Sequence, residues 1–332
     1  MDREEIKANI NVKMINRNAF IIINISRFWG IIFLAAIILL TSSCEEPFTP
    51  TDVSPKYEYV VEGKIELSDI QIPAYVILSK SFSYFDKIDS STFGNIYIDD
   101  ADISVSDGEK EVNLDYVCIR DLDPITQLRL LSDMATKLLD PNFCLYIDKE
   151  NKLVKDTGRS YVLNIKHDGN VITSTTSIKP RVVLDSTFFK SPPGTPIDTM
   201  KMLWGRLNDP ADEINYYKYF AINPSKLYSS NSNTLYDDKL INGKSLDLPF
   251  PKPFDRNSEN IDPETANLYL KGDTIIFKWC TLDEAGYNYW ESYQFSNNQG
   301  PFSSYIRPTD NIDGGIGNWG GYNCQVYFLV VD

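Results

Sequence analysis

The apolar run IIFLAAIILL at residues 31–40, followed by TSSCEE at 41–46, constrains this chain more than any other feature. Phe28 to Leu40 has the length of a secretory h-region, Arg3, Lys7, Lys13, Arg17 and Arg27 precede it, and Thr41, Ser42 and Ser43 supply small residues before Cys44. The pattern predicts a lipoprotein signal peptide over residues 1–43, with Cys44 as the acylated, palmitate-bearing first residue of the mature chain. What folds is then 44–332. The competing reading is a membrane-spanning anchor over Phe20 to Leu40, which Asn24, Ser26 and Arg27 interrupt. Met14 is an alternative start to Met1, and it leaves Arg17 and Arg27 as the basic n-region. Acyl chains contribute about 0.8 kcal/mol per buried methylene, so a multiply acylated cysteine anchors the chain without a helix.

Residues 1–43 carry five basic and three acidic side chains, so their removal takes the formal charge from −14 to −16. Such an acidic surface is a poor match for nucleic acid or anionic lipid, which need clustered Lys and Arg. The length left is enough for one large core or two modest ones, and two domains are expected, 57–180 and 181–332. Cys118, Cys144, Cys280 and Cys324 remain after lipidation, an even number that in an exported chain reads as two disulfides. Three connectivities are open; Cys118–Cys144 and Cys280–Cys324 are favoured because each closes a loop within one half of the chain. Two pairs of free buried thiols are the alternative. No CxxC spacing occurs, which argues against a metal site.

Glu45 to Lys56 reads as a tether stiffened by Pro47, Pro50 and Pro55. From Tyr57 the alternation is strand-like: YEYVVEGKIEL, PAYVILSKSF, ADISVSDG and EVNLDYVCI, with Asp107-Gly108 as a hairpin turn. Short strands of this kind predict a β-sandwich. Asp123-Pro124 opens a helix over 124–139, capped by Asp123, with Ile125, Leu128, Leu131, Ala135 and Leu138 at helical spacing. SYVLNIKHDGNVITSTTSI is a second hairpin turning at Asp168-Gly169. VVLDSTFF, MKMLWGRL and INYYKYFAI continue the β pattern, the last with Tyr217 and Tyr219 on one face and Tyr216, Lys218 and Phe220 on the other. Residues 224–265, rich in Ser, Asn, Asp and Pro, read as a long surface loop or a set of irregular crossings. GDTIIFKWCTL is a strand, LDEAGYNYWESYQF a short helix and CQVYFLVV the last strand. The fold class is mainly β with a short helical insertion.

The order of SSCEEPFTP, YVVEGKI (59–65), ADISVSDG (101–108), GRSYVLNIKHDGNVITSTTSI (158–178), VLDSTFF (183–189), NDPADEINYYKYF (208–220), YDDKLINGK (236–244) and NIDGGIGNWGG (311–321) resembles a family of Bacteroidota outer-membrane lipoproteins described as domain of unknown function 4249. The resemblance implies an immunoglobulin-like first domain, a second β-rich domain and a lipid anchor in the outer membrane, with the cell-surface face favoured over the periplasmic one. It also implies a TonB-dependent outer-membrane receptor as partner. It carries no catalytic residues.

His167 is the sole histidine and reads as a solvated turn residue, which removes multi-histidine metal sites and leaves little basis for a Ser-His-Asp triad. The glycines of GGIGNWGG permit tight turns beside Trp319; a strand, not the helix a phosphate cradle needs, follows them. Asp99, Asp100 and Asp102, and separately Asp310 and Asp313, could offer oxygens to calcium, but neither set has the EF-hand spacing, and solvated loop acids are the default. Trp204, Trp279, Trp290 and Trp319 read mostly as core. For aromatic ligand contacts the candidates are the loop residues Tyr228, Tyr236, Phe250 and Phe254. The expectation is a non-enzymatic accessory or cargo-binding subunit of a TonB-dependent system. A structural or adhesive surface protein is the alternative, and a carbohydrate-active enzyme a more distant one, because sequence cannot choose a catalytic pair among 46 acidic residues.

Overall fold

Alternating apolar side chains build most of the molecule. In the computed structural model, residues 57–81, 96–134, 140, 142–192, 198–223, 234–253, 262, 264–297 and 307–332 are described. The leader, Cys44, the tether and residues 135–139 of the expected helix lie outside them. In chain order the first half supplies β1 (Tyr59–Ser68), β2 (Tyr75–Lys80), β3 (Asp102–Ser106), β4 (Glu111–Asn113), β5 (Asp115–Cys118), α1 (Pro124–Met134), β6 (Cys144–Ile147), β7 (Ser160–His167) and β8 (Asn170–Ser177). The second supplies β9 (Leu184–Lys190), β10 (Met200–Asn208), β11 (Tyr216–Ile222), β12 (Leu235–Asp237), β13 (Ser245–Phe250), β14 (Tyr269–Leu270), β15 (Thr274–Leu282), α2 (Glu284–Asn297), β16 (Ile312–Asp313) and β17 (Ile316–Val330). The fold is mainly β, with several sheets and two α-helices among the described residues.

Local chemistry sets the turns. Asp107 Oδ1 accepts the amides of Glu109 (3.0 Å) and Lys110 (2.8 Å), and Gly108 takes φ +90° to close β3 onto β4. Asp168 (φ +49°) and Gly169 (φ +75°) form the two-residue turn between β7 and β8, the positive-φ pair that a tight hairpin demands. Asp123 caps α1 by accepting the amides of Ile125 and Thr126, both at 3.0 Å.

An eight-stranded sheet runs β12-β11-β15-β17-β1-β2-β6-β5. One of its faces carries two cores. Tyr59, Val61 and Ile65 of β1 with Trp319 of β17 pack against Ile103, Val105, Leu163, Ile165 and Ile172 of the five-stranded sheet β16-β8-β7-β3-β4. Farther along, Tyr217, Tyr219, Phe277 and Trp279 pack against Leu203, Leu207, Leu248 and Phe250 of the sheet built on β9, β10, β13 and β14. The other face carries two smaller apolar clusters. One includes Leu130 of α1 with Tyr75, Ile77, Leu145 and Ile147; the other includes Tyr287 and Trp290 of α2 with Tyr216, Leu282 and Tyr322.

The two-domain expectation is corrected here: residues Pro55–Asp332 form one compact unit, and the expected boundary at 180/181 separates strands of a single sheet. The reason is β17. Its residues 316–324 pair in parallel with β1, and 322–330 pair antiparallel with β15, so one fifteen-residue strand serves both cores. The first half therefore does not complete its own sandwich. Residues 224–265 are corrected too, because they contain β12 and β13 rather than one long loop. Leu246, Leu248 and Phe250 alternate onto the second core, and the surrounding Ser, Asn and Pro hide that short period.

Gly321 lets β17 approach the five-stranded sheet: a Cβ there would sit 2.3 Å from the Ser177 carbonyl oxygen. Backbone cannot yield as a flexible side chain does. Gly321→Ala is therefore expected to cost about 2 kcal/mol or more of unfolding free energy. Guanidinium denaturation checks this, and an unchanged midpoint would show that the sheets can separate at no cost.

Candidate functional site

Three lysines and one glutamate are buried on the helix-covered face of the eight-stranded sheet. Lys64 and Glu66 come from β1, Lys278 from β15 and Lys218 from β11, each no more than 6 % exposed. Strand alternation puts them there: Tyr59, Val61 and Ile65 point to the first core, so Lys64 and Glu66 must point away from it. In β11 and β15, Tyr217, Tyr219, Phe277 and Trp279 likewise face the second core and turn Lys218 and Lys278 to the opposite side.

Glu66 Oε2 accepts from both Lys64 Nζ (2.7 Å) and Lys278 Nζ (2.8 Å). Lys218 Nζ donates to Thr234 Oγ1 at 2.9 Å, and no carboxylate of the described residues lies within ion-pair distance of it. All three ammonium groups gather round Phe220, at 4.8, 5.2 and 5.0 Å from its centroid for Lys64, Lys218 and Lys278. Trp290 lies 4.2 Å from Lys218, and Tyr322 lies 4.3 Å from Lys64. The Trp290 indole donates to the Tyr322 hydroxyl at 2.6 Å and so fixes α2 over the group. Cation–π contact compensates part of the lost hydration.

These surroundings move the protonation equilibria. Burial alone drives the Glu66 carboxyl up, but the Lys278 and Lys64 ammonium groups outweigh it and hold the pKa at about 2. Burial, reinforced by Lys64, pulls Lys218 down to about 7. On the loop after β6, burial also pulls Lys155 down, opposed by Glu66 and Asp148, to about 8.

A pocket of about 190 Å³ adjoins the group at the end of β1, lined by Glu66, Ser68, Gln71, Asn151, Leu153 and Lys155. Glu66 Oε1 and Asn151 Oδ1 are buried and make no hydrogen bond. Asn151 takes φ +50°, and Asp148 holds its loop by accepting the Lys152 and Leu153 amides, both at 2.9 Å. The Lys155 ammonium donates to the Ile72 carbonyl.

The residues singled out from sequence fall elsewhere. Cys118–Cys144 and Cys280–Cys324 are bonded pairs, each joining adjacent strands in register. Tyr228 and Phe254 lie outside the described residues. Phe250 is corrected from loop to core: it is fully buried, with Phe277 and Trp279 at 5.0 and 5.3 Å. Tyr236 is half-buried on β12, and its hydroxyl donates to the Pro249 carbonyl. Trp279 and Trp319 are fully buried, whereas Trp204 is half-buried on the outer face of its sheet under Lys190, 4.6 Å away. Trp319 sits within a strand, which corrects the reading of GGIGNWGG as turns alone.

His167 is corrected from a solvated residue to a buried one, its side chain 4 % exposed. Nδ1 meets the Tyr59 hydroxyl at 2.9 Å and Nε2 meets Asp100 at 3.0 Å, tying the start of β1 to the β7–β8 turn. Asp310 pairs with Arg307 at 3.5 Å. Among the described residues, no three His, Cys, Asp or Glu side chains converge to hold a metal ion. The charged group was missed because each lysine sits singly in its strand. The legible signal is a lysine inside a run apolar on both faces, as in YYKYF and IIFKWC.

The sign of the pH dependence follows. Lys218 releases its proton near pH 7 when folded and near 10.5 when unfolded, so stability rises with pH across that window and its deficit is complete below pH 7. Lys218→Met is expected to be more stable than the parent at pH 6 by a few kcal/mol, on the order set by linkage, and to flatten the slope between pH 7 and 10. Denaturant melts at pH 6, 8 and 9.5 decide it; identical slopes in the two proteins sink the assignment. Glu66→Gln leaves two buried ammonium groups without their anion, and a loss of about 3–5 kcal/mol is expected in the same assay.

No curated protein matches the chain. The family described as "Domain of unknown function (DUF4249)" matches residues 45–326, beginning just after Cys44 and taking in the first core, most of the second, the disulfides and the buried lysines. The chain belongs to that family.

Proposed function

We propose that the protein is a lipid-anchored lipoprotein of the outer membrane that acts, without catalysis of its own, as an accessory or cargo-binding subunit of a TonB-dependent transport system. What supports the anchor reading is the leader ending in TSSC, together with a family match that begins at residue 45, immediately after Cys44. Two disulfides fit an oxidising compartment. The receptor as partner rests on the resemblance drawn from sequence. A binding role is supported by the small pocket beside Glu66, lined by both polar and apolar residues. Against catalysis by histidine stands the engagement of both ring nitrogens of His167 by Tyr59 and Asp100.

Cys44→Ser is expected to abolish incorporation of labelled palmitate and release the protein from the membrane fraction; retention of label would remove the anchor reading. Affinity capture of the tagged, natively lipidated protein from detergent-solubilised outer membrane is expected to recover a TonB-dependent receptor in stoichiometric amount. Recovery of the lipoprotein alone overturns the transport reading. Protease treatment of intact cells reads the face: cleavage supports surface exposure, and survival beside a cleaved surface protein opposes it.

A further inference from the structure

β17 outruns the strand beside it. Its pairing with β1 stops at Ser68 and Cys324, while its pairing with β15 continues to Val330. Antiparallel strands turn the backbone groups of alternate residues to opposite sides. Val331 bonds on the β15 side, its amide donating to the Asp273 carbonyl at 2.9 Å and its carbonyl accepting from Gly272 at 2.8 Å. The Val326 amide points the other way and donates to Asp69 Oδ2 at 3.2 Å. By that alternation Phe328 and Val330 also turn N–H and C=O away from β15, and no group of the described residues bonds them there.

An open edge is a template for another strand, and proteins blunt such edges with short strands, charge or proline. The sheet edges elsewhere in the described residues follow that rule. β4, β5, β12, β14 and β16 are two to four residues long. The longer β9 carries Asp185 and Lys190, and β13 carries Asp247 and Pro249. By contrast, residues 325–331, QVYFLVV, contain neither charge nor proline. Phe328 and Val330 are 69 % and 64 % exposed, on the sheet face opposite the one from which Tyr327 and Leu329 pack on the second core.

The length of the opening selects its occupant. Phe328 and Val330 offer four free backbone groups, hence four hydrogen bonds. A flexible peptide must be ordered to make them, and the entropy lost per residue rivals the net gain of one bond. A second copy brings the same edge already held in place by its own β15, so that cost is small. The formal charge of −14 makes most surfaces of two copies repel, and this stretch carries none of it. We propose that two copies of this chain pair β17 to β17, antiparallel about a two-fold axis at Leu329, with Phe328 of each copy opposite Val330 of the other. Each such pair exchanges two hydrogen bonds, and the exposed side chains of both copies meet on one face. An axis at Phe328 would instead call on the Val326 amide, which Asp69 already holds. The inference does not depend on the transport reading.

The test is sedimentation equilibrium of the full-length protein in density-matched detergent, with micelles in excess, from micromolar to near-millimolar concentration. A reversible monomer–dimer equilibrium is expected. Phe328→Lys sets like charges across the pairing and is expected to weaken dimerisation at least tenfold. Val330→Pro deletes one outward N–H per copy without taking a donor from the β15 ladder, and the same weakening is expected with an unchanged circular dichroism spectrum. Leu240→Lys, at an exposed residue beyond β12, is expected to change nothing. Should Val330→Pro fail to fold, Phe328→Lys against Leu240→Lys carries the test. A monomer at every concentration overturns the proposal, as does a dimer that neither edge substitution weakens. A dimer weakened by the lysine but not by a folded proline variant rests on side chains alone and overturns the strand pairing. A monomer that captures a receptor, and loses it with Phe328→Lys, gives the edge to the receptor and overturns the self-pairing.

Discussion

The parallel pairing of β1 with β17 is the contact on which the remaining architecture hangs. It joins residues about 250 positions apart in nine consecutive pairs, Val60 with Ile316 through Ser68 with Cys324. Closing so long a loop is entropically costly, and the pair recovers that cost by being buried on both faces, as parallel strands usually are. Trp319 fills the space above Gly63, where a Cβ would sit 2.7 Å from the indole, and its Nε1 donates to the Tyr161 carbonyl at 3.1 Å in the facing sheet. Beyond Cys324 the strand leaves β1 and continues along β15 into the second core. Neither core would be closed without it.

That central position explains why charge can be buried here at all. Glu66 sits in β1 beside Tyr322 of β17, and the lysines that bond it come from β1 itself and from β15 on the far side of β17. Taking such ions out of water costs several kcal/mol each, and their attraction recovers this only with good geometry and further hydrogen bonds. Glu66 meets the condition on one oxygen only, with two close ammonium partners on Oε2 and no hydrogen bond on Oε1, whereas Lys218 has a hydroxyl and two rings and lies near its titration point. The Cys280–Cys324 disulfide crosses from β15 to β17 in the same layer, two residues from Lys278, and holds those strands in register. A closed loop of that length contributes about 3–4 kcal/mol in the chain-entropy treatment. A permanent crosslink and a costly charge cluster side by side fit a place where geometry is specified at the expense of stability.

Local features were legible because they depend on neighbours in sequence. Asp107-Gly108 and Asp168-Gly169 turn as hairpins, Asp123 caps α1, and INYYKYFAI divides its tyrosines between faces as its alternation requires. Of the three cysteine pairings left open, the one favoured for its shorter loops is the one that forms. β13 was obscured because Leu246, Leu248 and Phe250 offer only three alternating positions amid Ser and Pro. His167 beside a turn looked solvated, yet Tyr59 and Asp100, distant in sequence, close over it.

The amino-acid order by itself determined the mainly β character, the turns, the helix start and the acidic balance, since each is governed by residues a few positions apart or by totals over the chain; which of three cysteine pairings forms was left to the fold. Only the tertiary structure decided that the two halves share one sheet, because nothing in β1 or β17 specifies its partner until both apolar faces are covered. The same holds for the site. Lys64, Glu66, Lys218 and Lys278 are ordinary charged residues in their separate strands, and they become a buried group with displaced protonation equilibria only when β1, β15 and β11 lie in one sheet under α2. Desolvation and Coulomb attraction act through space, and that space is set by strand order.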